Sequence, residues 1–273
     1  RVLVVAAVGL AAAAIFVACR NGDGGAAGVA SPAATATLAE TPVPSADTVP
    51  NGCVGSQPVP PGDSSRTLSA GGRDRTYLLH VPPGYDGTKP LPLVLNLHGF
   101  GSSGQRQALY SRFPALADAE QFFVVSPDGA GQPQQWNIRG DPQLPDDVAF
   151  IRALLDTLEG ELCVDRERVF AAGISNGAAF AQQLACAMPE RFAAIAAVAA
   201  LVYPLACATD QPIAVIAFHG TADTCVPFDG GPVTCGTARG VVPSVEDSAL
   251  NWARHDQCNL TASRVRVSEN VRS

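Results

Sequence analysis

Four apolar runs, each closing on a loop that contains glycine, constrain the fold of this chain more than any other feature. They are LPLVLNLHGFG from residue 91, FFVVSPDG from 122, RVFAAGISNG from 168 and PIAVIAFHG from 212. Each is short and lacks polar alternation, the pattern of a strand buried on both faces. Between them lie segments with helical spacing. QALYSRFPALADAEQ is interrupted by Pro114, PDDVAFIRALLDTLEG opens on a proline and two aspartates and closes on Gly160, and SNGAAFAQQLACAM and SVEDSALNWARHDQ follow later. FAAIAAVAAL reads as a further strand, and ASRVRVS begins one more near the end of the chain. Ahead of the first apolar run, RTLSAGGRDRTYLLHVPPGY reads as a hairpin turning at Gly71-Gly72 and ended by Pro82-Pro83. Strands alternating with helices predict an α/β fold: a mostly parallel sheet covered by helices on both faces, with the hairpin antiparallel at one edge.

The first 64 residues do not share this pattern. Residues 2 to 19, VLVVAAVGLAAAAIFVAC, form an unbroken apolar run after Arg1. It is expected to be an export signal, a lipoprotein signal with Cys19 as the lipid-bearing residue, or an uncleaved membrane anchor. All three place the rest of the chain outside the cytoplasm, secreted or attached to the outer face of the membrane. Residues 20–64 are dominated by Ala, Gly, Pro, Thr and Ser, cannot bury a core and are expected to form a flexible tether. Residues 65–273 hold the folded domain. Of eight cysteines, seven follow Cys19, and in an exported protein they are expected to form disulfides. Cys225 with Cys235 and Cys186 with Cys207 are candidate pairs, and the odd number leaves one thiol free or paired outside the chain. No CxxC pair occurs, so no zinc site is expected. A net charge of −7 with no basic stripe argues against a nucleic-acid partner.

In a parallel sheet, sites form at the carboxyl ends of the strands, and the loops HGFGSSG, SPDG, GISNG and HGTAD all fall there. Gly173-Ile174-Ser175-Asn176-Gly177 sits where a strand turns into a helix. That is the setting of a nucleophile elbow: glycines permit the tight turn, and the helix N-terminus favours developing negative charge at the serine. Any exported chain can carry GxSxG by chance, so the junction matters more than the pattern. LHGFG after an earlier strand suits a second oxyanion donor, and the candidate donors are the backbone N–H groups of Phe100 and Asn176. His98 is expected to brace its loop. Asp223, in the loop of FHGTADTCVPF, lies downstream of Ser175 where the acid of a Ser–Asp–His triad belongs in chain order. Asp146 and Asp147 are read as a helix-capping pair rather than as acid and base. Trp136 either lines a cleft or covers the core.

The motifs LVLNLHGFG, SPDG, CVDRERVFAAGISNGA, RFAAIAAV and FHGTADTCVPFDGG, with a tryptophan ahead of DDVAFI, together resemble the polyhydroxybutyrate depolymerase-like esterases. That group includes the feruloyl and acetylxylan esterases of carbohydrate esterase family one. The resemblance runs from about Thr67 to Cys258. It implies an α/β-hydrolase fold, no metal or other cofactor, and secreted hydrolysis of carboxylic esters on polymers or their fragments. It also implies that Ser175 is the nucleophile, Asp223 the acid, and Phe100 and Asn176 the oxyanion positions. The chain departs from the family at the histidine, which there stands late in a Gly-Gly-His-type loop. The histidines here are His80, His98, His219 and His255, and only His255 follows Asp223. His255 sits on a segment read as a solvated helix, a poor place for a triad base. The domain is therefore expected to be incomplete at its C-terminus, with the base beyond Ser273. The alternatives are a catalytically inactive hydrolase-like domain that binds a polymer or cell-surface partner and, within the same fold, a peptidase.

Overall fold

The computed structural model describes residues 2–8, 12–18, 53, 59–204, 207–235, 239–263, 266–268 and 271–272. In chain order the strands are β1 (Val2–Val8), β2 (Ala12–Ala18), β3 (Gly62–Ala70), β4 (Arg73–Val81), β5 (Leu91–Leu97), β6 (Phe123–Pro127), β7 (Val164–Ile174), β8 (Ala194–Val198), β9 (Ala214–His219), β10 (Gly231–Pro232), β11 (Val241–Val242), β12 (Asn259–Ser263), β13 (Arg266–Ser268) and β14 (Val271–Arg272). The helices are α1 (Gly104–Ser111), α2 (Phe113–Glu120), α3 (Asp147–Glu161), α4 (Asn176–Ala187) and α5 (Val245–His255), with a 3-10 turn at Pro189–Arg191.

The main sheet has the order β12-β1-β2-β9-β8-β7-β5-β6-β4-β3. Its working part is β3 to β9. Strands β6, β5, β7, β8 and β9 are parallel neighbours, and β4 and β3 continue antiparallel at one edge. This is the mostly parallel sheet with an antiparallel edge hairpin that the alternating pattern predicts, in the α/β-hydrolase arrangement that the resemblance implies. The β3–β4 hairpin turns on Gly71 and Gly72, at φ 62 and 76, the backbone a two-residue hairpin loop requires. Strand β3 starts at Gly62, inside the segment read as tether. Its alternating half-buried pattern gives it one face to pack, and Asp63 bonds to His80 across the hairpin at 2.7 Å.

Buried aliphatic residues fill the central strands: Leu93, Leu95 and Leu97 on β5, Val169 and Ala171 on β7, and Ile195 and Ala197 on β8. Helix α3 turns Phe150, Ile151, Leu154, Leu155 and Leu158 onto this core. Of the expected capping pair, Asp146 caps α3 by accepting from the Ala149 N–H at 2.9 Å. Asp147 instead points inward to Arg75 at 2.7 Å, and the Arg75 guanidinium lies over the Phe150 ring. Burial pushes the Asp147 carboxyl above its ordinary range, while the Asn137 N–H and Arg75 pull the other way. Pro114 divides its segment as expected: Arg112, at φ 57, separates α1 from α2.

The N-terminal apolar run forms the β1–β2 hairpin, whose second strand pairs antiparallel with β9. Cys19 and most of residues 20–58 lie outside the described residues. Among the described residues no helix is long and apolar enough to cross a membrane. Disulfides join Cys186 to Cys207 and Cys225 to Cys235, the two expected pairs, and Cys53 to Cys163. Cys258 is disulfide-bonded too, and no described cysteine is free, which corrects the expectation of a leftover thiol.

Candidate active site

Ser175 is the single residue between β7 and α4, with φ 55 and ψ −120. Its N–H donates to the Val198 carbonyl of neighbouring β8 at 2.8 Å. The flanking glycines follow from sterics. A β-carbon on Gly173 would overlap the Gly177 carbonyl, and one on Gly177 would come to 2.5 Å from the carbonyl oxygens of Leu97 and His98. Strand β5 and helix α4 therefore approach each other closely enough that only glycine fits at 177.

Phe100 lies in the loop after β5. The Gly101 N–H donates to the Gln134 carbonyl at 2.8 Å and the Ser102 N–H to the Gly99 carbonyl at 3.2 Å, which hold that loop in shape. His98 braces it from beneath. Nδ1–H donates to the Gly99 carbonyl at 2.7 Å, and Nε2 accepts from the Gly129 N–H at 2.8 Å. One donating and one accepting nitrogen describe a neutral ring. Burial pushes the His98 pKa below its ordinary value, against a smaller opposing effect of the Gly99 carbonyl.

Asn176 opens α4, where the first backbone N–H groups have no partner within the helix. Its side chain is not idle. Oδ1 accepts from the Trp136 N–H at 2.7 Å, and Nδ2 donates to the Trp136 carbonyl at 3.2 Å. The Trp136 indole N–H donates to the His98 carbonyl at 2.9 Å, and the ring stacks on Phe180 at 4.8 Å between centroids. Trp136 thus both covers the core and lines the cleft. It links the serine elbow, the His98 loop and the segment beyond it. Sequence reading assigned Asn176 only its backbone. The side-chain clamp joins residues 40 apart, and a lone asparagine after the serine carries no periodic signal for it.

Asp223 lies in the loop after β9. Oδ1 accepts from the N–H groups of Cys225 at 2.7 Å and Val226 at 3.0 Å. Oδ2 stands 3.5 Å from Nε2 of His219, whose stronger bond goes to the Val226 carbonyl at 2.8 Å. Ser175, Phe100 and Asn176 line one cleft of about 1320 Å³, and Cys225 and Val226, which hold Asp223, line it as well. The structure thus gathers three of the four expected residues on one cleft and sets the fourth in a loop that forms part of its wall.

No histidine lines this cleft. His80 faces Asp63 and Asp118 on the β3–β4 side of the sheet. His219 is buried beneath the Asp223 loop. His255 is not solvated: its side chain is 6% exposed and bonds to Asp256 at 2.8 Å and to the Thr209 carbonyl at 2.7 Å. The expected solvated helix face is wrong there because His255, at the end of α5, packs against Tyr203, Cys207 and Thr209. Among the described residues no three His, Cys, Asp or Glu side chains gather to hold a metal ion.

A mostly parallel sheet, with a serine on a left-handed elbow at the C-terminal end of a central strand, defines an α/β-hydrolase. The family follows from sequence. The family profile described as "Putative esterase" matches residues 68–272, and the chain belongs to that family. It is 35% identical over 175 residues to "Putative esterase NocK" of Nocardia uniformis subsp. tsuyamanensis, covering 61% of this chain and 50% of the relative. It is 33% identical over 170 residues to "Feruloyl esterase C" of Emericella nidulans, covering 60% of each. The chain thus spans half to three fifths of the length of these relatives. Among solved structures, a ferulic acid esterase is similar at 22% identity and a TM-score of 0.43, over 51% of this chain and 60% of that one.

Proposed function

We propose that this chain is the esterase domain of an exported serine hydrolase that cleaves carboxylic esters through an acyl-enzyme on Ser175. The observation that carries the reading is the strained serine elbow, which opens on the same cleft as Phe100 and Asn176. In the reaction Oγ of Ser175 attacks the ester carbonyl while its proton passes to a histidine. The N–H groups of Phe100 and Asn176 hold the resulting oxyanion. The tetrahedral intermediate expels the alcohol, which takes up the proton, and water then releases the acid by the same steps. Asp223 orients the histidine and stabilises its charged form. Each histidine of this chain is engaged away from the cleft, so none of the four is assigned as the proton acceptor.

The finer substrate reading is an ester of a hydroxyalkanoate or a feruloyl- or acetyl-bearing polysaccharide. Relatives named feruloyl esterase support the aromatic acid, and a cleft lined by Phe100, Tyr110, Trp136, Ile138, Leu144 and Tyr203 suits an aromatic acyl group. The disulfides support an extracellular location. The test uses the full-length gene product. A fluorophosphonate is expected to label Ser175 covalently and short-chain aryl esters to be hydrolysed, and Ser175→Ala should abolish both. Equal rates for the two proteins would sink the assignment.

One observation favours a second reading, that of a hydrolase-like domain that binds a polymer without cleaving it: no histidine reaches the cleft. Such a domain would leave Ser175 unlabelled.

A further inference from the structure

The cleft carries a charge that esterase chemistry does not require. Its lining includes Arg106 on α1, Arg139 on the loop after Trp136, and Arg239 ahead of β11, against the single acidic residue Asp141. This excess of positive charge stands out in a chain of net charge −7. Elsewhere in the fold six arginines are matched with carboxylates. Arg66 pairs with Glu161, Arg75 with Asp147, Arg152 with Glu190, Arg166 with Glu159, Arg168 with Asp165, and Arg191 with Asp156 and Glu159. Among the described ion pairs none involves Arg106 or Arg139. Asp141 is turned to its own loop, where Oδ1 accepts from the Gln143 N–H at 2.9 Å and its N–H donates to Asn137.

The position of Arg139 is also built. Nη2 donates to the backbone carbonyl of Arg239 at 2.5 Å, which fixes the guanidinium of Arg139 against the segment ahead of β11. Gly240 makes room for it: a β-carbon there would overlap the Arg139 guanidinium, and the residue holds φ 145, a backbone that favours glycine. The loop that carries Arg139 is itself anchored, since the Asn137 N–H donates to buried Asp147 at 2.7 Å and Asn137 Nδ2 donates to the carbonyls of Asp141 and Pro145.

We infer that the cleft selects esters that bear a carboxylate, held by Arg106 and Arg139. The inference rests on the esterase reading of the same cleft. A guanidinium presents paired N–H donors that match a carboxylate. The arginines of the cleft are exposed, so the attraction acts at its rim and is screened by salt. A carboxylate near the scissile ester has two chemical sources: the free end of an oligoester, or a uronate unit of an acidic polysaccharide.

Binding tests this without turnover. The full-length gene product carrying Ser175→Ala would be titrated by calorimetry with succinanilate against butyranilide, and with trigalacturonate against maltotriose. At least one anionic probe should bind about tenfold more tightly than its neutral match, equivalent to ~1.4 kcal/mol. The preference should disappear in Arg106→Gln/Arg139→Gln, persist in large part in Arg139→Lys, and shrink as salt rises towards about 1 M. An unchanged thermal midpoint in the double variant shows that the fold is intact. Preference for succinanilate identifies an oligoester end, and preference for trigalacturonate an acidic polysaccharide. Anionic probes that bind no better than their neutral matches, or a preference that survives the double variant, overturn the inference. Fluorophosphonate labelling of unmutated protein tests the esterase reading separately, so the two failures are distinguishable.

Discussion

A side chain on a backbone at φ 55 and ψ −120 costs about 1–3 kcal/mol. Ser175 keeps that conformation because β7 pins it from one side, through β8, and α4 from the other. His98 shows the same economy of position. Both ring nitrogens are used, one donating and one accepting, so the ring serves its loop only while neutral. Its pKa is depressed by burial from an ordinary 6.5. As pH falls below that value the unfolded chain takes up a proton that the folded chain resists, so the stability is fully present above about 6.5 and is lost as pH falls. The thermal midpoint should therefore drop more steeply between pH 7 and pH 5, roughly the range histidine titrates, in the wild-type protein than in His98→Asn. Equal slopes would remove His98 from this role. The bracing role of His98 was legible because backbone amides serve as the oxyanion donors of its loop and because it precedes Ser175, against the chain order of a triad. The placement of His255 was not: its partner, the Thr209 carbonyl, lies 46 residues away.

At the scale of elements, the elbow is a packing problem before it is a chemical one. Gly177 is where α4 crosses β5, and its missing side chain is the clearance between them. Gly177→Ala should destabilise the fold by about 1–3 kcal/mol and distort the serine loop, read as a lowered denaturation midpoint with loss of phosphonate labelling. A fully stable, labelled variant would mean that α4 can shift freely. The strands and helices themselves were legible because their periods differ. The apolar runs have no polar face, and α3 and α5 have one. The limits of β3 and β7 were less so. Strand β3 begins at Gly62, in a stretch whose composition resembles the tether, and β7 begins at Val164, ahead of the charged DRER. In both cases a neighbouring strand supplies the hydrogen bonds that local composition does not predict.

For the molecule as a whole, the disulfides divide by span. Cys53–Cys163 closes a separation of 110 residues and Cys225–Cys235 one of 10. By loop-closure entropy the first should contribute about 5 kcal/mol and the second about 3 kcal/mol. Replacing Cys53 and Cys163 by serine should thus lower the denaturation midpoint more than replacing Cys225 and Cys235. The reverse order would show that the shorter bridge acts through the cleft wall rather than through the unfolded chain. The shorter pair could be guessed from sequence because its loop is local. The longer one could not, since its first cysteine stands in the stretch read as tether. Finally, the stacking of Trp136 on Phe180 has an optical consequence. The protein has two tryptophans, and one of them forms both the floor of the cleft and part of the core. The protein carries its own fluorophore in the lining of the cleft. A ligand that enters the cleft changes the light the protein emits, with no label attached.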